Sequence, residues 1–175
     1  MYETQDYLTS NTWFNSAVSE DANWMDGYNG LGWSYAKLMV IDSSIDNFIT
    51  GLTKPQDKWN PTDIHSEILA GLTFAYHAKG IDKKTIEYGR AFLDSTVKPL
   101  KAGWVFSHDP DSLLNYLDVR ITLAASYFSV GKFDSASLNV QIVLDSLNSS
   151  VIAVSDTSLE GRKKMAEQIS ALQTS

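Results

Sequence analysis

The 175-residue chain has no cysteine, and that single absence excludes disulfides, thiol nucleophiles and thiolate metal sites. Basic residues are few: 14 Lys and Arg stand against 21 Asp and Glu, leaving a formal charge of -7. They are also dispersed, with no run longer than Lys83-Lys84 or Arg162-Lys163-Lys164. Affinity for nucleic acid comes mainly from clustered Lys and Arg that neutralise phosphates, so this balance counts against a DNA or RNA partner. Long apolar runs are missing too. None approaches the roughly 20 residues that span a bilayer, and the opening Met1-Tyr2-Glu3-Thr4-Gln5-Asp6-Tyr7 lacks the basic and apolar regions of a signal peptide. The chain therefore reads as cytoplasmic or as the mature form of an exported protein. Its Trp, Tyr and Phe content beside abundant Ser, Asn and Thr favours export to the cell envelope or beyond.

Catalytic constellations are scarce. Of the three histidines, His65 and His77 stand too far apart on one expected helix to ligate together, and they miss the i, i+4 spacing of a zinc-binding helix. His108-Asp109-Pro110-Asp111 concentrates possible ligands, but Asp-Pro and Asp-Ser here read as a turn and a cap. No Gly-x-Ser-x-Gly elbow is present. Carboxylate pairs such as Glu20-Asp21 and Asp42 with Asp46 fall at expected helix ends, where unpaired N–H groups favour negative charge, and not across a cleft as a glycosidase requires. Asn29-Gly30-Leu31-Gly32 has no preceding strand and no following Lys-Ser/Thr, so it reads as close helix packing and not a phosphate loop. No catalytic residue, metal ligand or cofactor site is assigned, and the chain is expected not to be an enzyme.

What is present is the composition of a folded protein. With 43% hydrophobic and 20% charged residues, the chain suits one domain or a short repeat array with a real core. The clearest pattern runs from Asn115 to Asn148 as two amphipathic helices. The first carries Leu117, Ile121, Ala124, Ala125 and Phe128 on its apolar face, the second Ala136, Val140, Val143, Leu144 and Leu147, all at three-and-four spacing. Between them, Gly131 takes the left-handed conformation that ends a helix and Asp134 caps the next.

On Leu123-Ala124, Tyr127, Gly131, Phe133 and Ala136, this stretch resembles a tetratricopeptide repeat, a helix-turn-helix unit of about 34 residues. Degenerate copies precede it. Residues 25–58 form repeat 1, with Tyr28, Leu31, Gly32, Tyr35, Asp42 as cap, Ser44, Phe48 and Gly51, although no glycine marks the turn at Met39-Val40. Residues 66–99 form repeat 2, with Leu69, Leu72, Tyr76, Gly80, Asp82 as cap, Thr85, Ile86, Tyr88, Gly89, Phe92 and Leu93. Residues 115–148 form repeat 3. Residues 2–19 read as an N-terminal helix or half repeat, with Leu8, Phe14, Ala17 and Val18 among its apolar positions and Ser10, Phe14 and Ala17 at the spacing of a repeat's second helix. A turn-rich linker at 54–62 leads to a cap at Thr62 or Asp63, and an inserted loop at 100–114 carries Trp104-Val105-Phe106 and hands over through Asp111 or Ser112. Residues 157–173 form a capping helix opened by the box Thr157-Ser158-Leu159-Glu160, with Leu159, Met165, Ile169 and Leu172 on its apolar side.

The resemblance implies an all-α fold, a right-handed superhelix of antiparallel helix pairs forming a tetratricopeptide-like α-solenoid closed by the C-terminal helix. It further implies a non-enzymatic protein–protein interaction scaffold whose concave face, lined by the first helix of each repeat, holds a protein segment. Candidate contacts there are Asn29, Lys37 and Arg120. Trp59, Trp104 and His108, in the two insertions, are the candidates for exposed contacts. The partner is expected to be a protein, either separate or another copy. A half repeat leaves a face able to receive a helix, so head-to-tail self-assembly into an oligomer or an extracellular filament is the sharper expectation. The alternative is a surface or periplasmic subunit that binds a carbohydrate or peptide through the aromatic insertions.

Overall fold

The computed structural model describes residues 5–55, 64–94, 104–106 and 114–174, and there the helical periodicity resolves into eight α-helices. They are α1 (Tyr7–Glu20), α2 (Met25–Lys37), α3 (Ile41–Leu52), α4 (Ile64–Ala78), α5 (Asp82–Asp94), α6 (Tyr116–Ser129), α7 (Phe133–Ser146) and α8 (Leu159–Gln173). Among the described residues there is no strand, only an isolated antiparallel bridge between Val105 and Asn115. The architecture is all-α. Trp59, Thr62, Asp63, His108, Asp111 and Ser112 lie outside the described residues.

Four helices end in the same way, three of them after a tyrosine and α7 through Asn148 at φ 53°, where Ser149 N–H donates to the Leu144 carbonyl. After Tyr35, Tyr76 and Tyr127, the N–H groups of Val40, Ile81 and Lys132 donate back to those tyrosines' carbonyls at 2.9, 2.9 and 2.8 Å. One residue earlier, Met39, Gly80 and Gly131 donate to Ala36, His77 and Phe128. This paired bonding satisfies the orphan carbonyls of a helix end and needs a left-handed residue at the turn. Gly80 and Gly131 supply it at φ +74° and +76°, whereas Met39 is forced to φ 61°.

The acids expected to cap the next helices lie inside them. Asp82 is the first residue of α5, and Asp42 and Asp134 occupy the first turns of α3 and α7, whose N-caps Val40 and Lys132 make no side-chain bond. The left-handed turn delivers the chain straight into the next helix, and the acid then acts through its charge at the positive helix end. α6 has a true box: Asn115 Oδ1 accepts from Leu117 N–H and Asp118 Oδ2 accepts from Asn115 N–H, each at 2.7 Å. α8 is capped by Ser158, not Thr157, because the Asp156 carboxylate accepts both the N–H and the hydroxyl of Ser158. Glu20 and Asp21 also differ from expectation, closing α1 instead of opening a helix.

Each helix packs on its successor, and α2, α4, α6 and α8 also touch one another in turn. The odd-numbered helices make no comparable next-but-one contact among the described residues. At the centre, α4 is buried from Ile64 to Tyr76 with few gaps. The positions that make each pair close recur at one spacing: Leu31, Leu72 and Leu123 are buried, as are Ser44, Thr85 and Ala136 where the next helix crosses. Ser44 Oγ donates to the Gly32 carbonyl at 2.7 Å. The ring of Phe48 fills the space that a Cβ at Gly32 or Gly71 would need, so α2, α3 and α4 meet on one phenyl group. Burial on several sides also widens the apolar arc of α6, where Val119, Leu123 and Tyr127 are buried while Leu117, Ala125 and Phe128 are half-buried. Leu8, Leu147 and Leu159, expected on apolar faces, are exposed at helix ends or on an outer side.

Between α7 and α8 runs an extended connector. Ala153 is buried, its N–H donating to Gln141 Oε1 of α7. Gln168 of α8 grips the backbone with both atoms of its amide, accepting from Val154 N–H and donating to the Ile152 carbonyl, each at 2.9 Å.

Candidate interaction surfaces

The face shared by α2 and α4 is where the sequence places partner contacts, and the chain itself occupies it. Trp33 of α2 and Phe74 of α4 lie 6.3 Å apart, and Phe106 of the inserted loop sits on Trp33 with ring centroids 4.3 Å apart. Phe106 N–H donates to the Leu114 carbonyl and Tyr116 N–H to the Trp104 carbonyl, which folds the insertion back onto the helices. Trp104, expected as an exposed contact, is buried edge-on against Phe92 at 5.2 Å. An apolar run of three residues stabilises the fold by leaving water, and two buried helices offer it a place. Only Val105 between them faces solvent. Among the described residues, the indole N–H groups of Trp33 and Trp104 are buried without a hydrogen-bond partner, a cost of about 1–3 kcal/mol each.

Asn29 is likewise not on a surface. It is 2% exposed, and its Nδ2 donates to Glu67 Oε2 at 2.8 Å, tying α2 to α4 through a carboxylate that is itself buried. Lys37 is half-buried, its ammonium 5.7 Å from the Tyr7 ring. Arg120 lies over Tyr116, donating from Nε to Tyr116 Oη at 2.8 Å and from Nη1 to Asn139 Oδ1 at 3.0 Å. It borders a cleft of about 210 Å³ lined by Arg90, Asp94, Leu123, Tyr127 and Asn139. Asn29, Lys37 and Arg120 are therefore on separate contacts, not one clamp. Asn139 was readable as a polar residue on the apolar stripe Ala136, Val140, Val143; Glu67 was hidden because an acid among helix-surface residues normally faces water.

His65 is half-buried, and His77 Nδ1 lies 3.3 Å from Ser126 Oγ across the α4–α6 contact. Burial pulls the His77 pKa below 6.5, with Asp82 acting weakly the other way. Burial also raises the pKa of Asp118, against the two backbone bonds it accepts. Among the described residues no three His, Asp or Glu side chains are grouped to hold a metal ion, and no helix is long and apolar enough to cross a membrane.

Uncovered apolar positions collect at the two ends of the helix series. On α1, Trp13 is 61% exposed and Phe14 and Ala17 are half-buried, at i, i+1 and i+4, while Ser10 one turn before them is buried. At the other end Leu138, Val151, Ile152 and Leu159 are exposed, and Ala166 of α8 is half-buried. No protein-family model matches this chain, and no curated protein sequence matches it.

Proposed function

We propose that this protein is a non-enzymatic protein–protein interaction scaffold, a short tetratricopeptide-like array in which helix pairs stack as a right-handed superhelix. The observation that carries the reading is the recurrence of one packing unit: a buried Leu, a Tyr whose carbonyl closes the turn, a left-handed residue, and a small buried residue on the next helix. Leu31, Tyr35, Met39 and Ser44 are followed by Leu72, Tyr76, Gly80 and Thr85, and then by Leu123, Tyr127, Gly131 and Ala136. A unit of this kind cannot bury its own faces and offers them to whatever stacks next.

The α2–α4 face, which in such an array is the concave one, already holds Phe106, and Trp104 is buried against Phe92 of α5. That favours polypeptide binding at the ends of the array over an extended-peptide clamp, and it removes Trp104 from the ligand-binding alternative. The test is selection from a displayed library of amphipathic helices on the immobilised chain. Helices should be enriched and should be lost on the Ala17→Arg variant. A chain that enriches no polypeptide, its own included, rejects the reading.

A further inference from the structure

The two ends of the helix series are complementary halves of one packing unit. Ser10, Phe14 and Ala17 of α1 stand at the mutual spacing of Ser44, Phe48 and Gly51 of α3. Phe48 is covered from both sides, by Gly32 of the helix before it and Gly71 of the helix after it. Phe14 packs on Gly30 of the following helix and lies 6.4 Å from the Trp24 ring, and it is half-buried where Phe48 is fully buried. α8 shows the converse. Leu159, Arg162, Met165, Ala166 and Ile169 stand at the spacing of Met25, Tyr28, Leu31, Gly32 and Tyr35 of α2, both helices counting from their first residue. α8 packs on α6 as α4 packs on α2. Yet Ala166 is half-exposed, where Gly32 is sealed by Ser44 and Phe48 of the helix that follows it.

Charge points the same way. α1 closes on Glu20 and Asp21 with no basic residue in its last turn, and the first basic residue of the chain is Lys37. α8 carries Arg162, Lys163 and Lys164 in its N-terminal half. Acids at a helix C-terminus and bases near an N-terminus both oppose the helix dipole. An antiparallel neighbour that brings those two ends together relieves both.

From this we infer, resting on the scaffold reading, that the occupant of the open face of α1 is α8 of a second copy of this chain. The α2–α3 pair supplies the register. Ser44 meets Gly32, Gly51 meets Tyr28, and Lys54 lies over Tyr28 at 5.1 Å. The corresponding intermolecular neighbours are Phe14 with Ala166, Ala17 with Arg162, and Glu20 with Arg162, Ser10 being already buried within the chain. An interface between two different faces is heterologous, and it propagates into a ring or a filament according to its rotation.

Sedimentation velocity of the 175-residue chain across a rising concentration series tests this. The unaltered chain should show a mass that climbs with concentration. Glu20→Arg alone and Arg162→Glu alone each set like charges opposite one another and should weaken association by about tenfold or more. Mixing the two variants restores an Arg–Glu pair at every junction and should restore assembly. Ala166→Arg, at a half-exposed site, blocks the interface without touching the core. A chain that stays monomeric, or assembles indifferently to the charge swaps and to Ala166→Arg, overturns the inference. If α1 then still captures library helices in an Ala17-dependent way, the scaffold reading survives its failure; if it captures none, both fall.

Discussion

Met39 holds a left-handed backbone at φ 61° where the other two turns that follow a tyrosine use glycine, and its side chain is 78% exposed. The conformation costs a residue with a Cβ about 1–2 kcal/mol, and no packing is given up by removing this one. Glycine returns part of the gain as chain entropy. Met39→Gly should therefore stabilise the protein by about 0.5–1 kcal/mol, and Gly131→Ala should destabilise it by about 1 kcal/mol. Urea midpoints at unchanged slope are the measurement. A Met39→Gly variant that is less stable would mean the turn is held by something other than backbone conformation. The same strain explains why residues 25–58 are less legible in the sequence than residues 115–148: their turn lacks the glycine that announces the others, and the backbone bonds from Met39 and Val40 to the Ala36 and Tyr35 carbonyls hold the geometry instead.

Among the elements, the inserted segment 104–106 behaves as part of the core although it has no regular structure of its own. Phe106 is 2% exposed and lies on Trp33, and Trp104 lies on Phe92. Phe106→Ala removes a buried ring and leaves a cavity against Trp33, so a loss of about 3–5 kcal/mol is expected. Tryptophan emission should shift to longer wavelength in the folded variant as water reaches Trp33. An unshifted spectrum and unchanged stability would show that the segment does not seal this face. α8 is joined differently. Its tie to α7 passes through the connector, with Gln141 and Gln168 satisfying backbone groups that no helix partner reaches. The apolar and charged runs were legible in both places. Which surface each one meets was not, because a loop's docking depends on residues far away in the chain.

For the whole molecule, the junction between the two core clusters runs through α4, α5 and α6, where His77 faces Ser126. The groups near His77 that bear on its charge are Asp82, which favours the proton, and the burial, which outweighs it. A folded pKa below 6.5 means the unfolded chain binds more protons in the interval between the two values. Stability from this group is complete above the unfolded pKa and is lost as pH falls from about 6.5 toward the lowered folded value. Thermal midpoints should therefore drop between about pH 7.5 and about pH 5.5 more steeply in the unaltered chain than in His77→Gln. Parallel curves would assign the acid sensitivity to other groups.

The sequence alone determined the features that local physics dictates. The three-and-four spacing of apolar residues set the helices, Gly80 and Gly131 set two of the turns, and the charge balance and lack of cysteine set the classes of chemistry left open. It did not determine which side of a helix is used twice. Asn29, Glu67 and Asn139 are polar and sit inside, since each finds a partner on another helix; Leu8, Trp13 and Leu159 are apolar and sit outside, since among the described residues no helix arrives to cover them. Burial belongs to pairs of elements, and only the tertiary structure decides which elements meet.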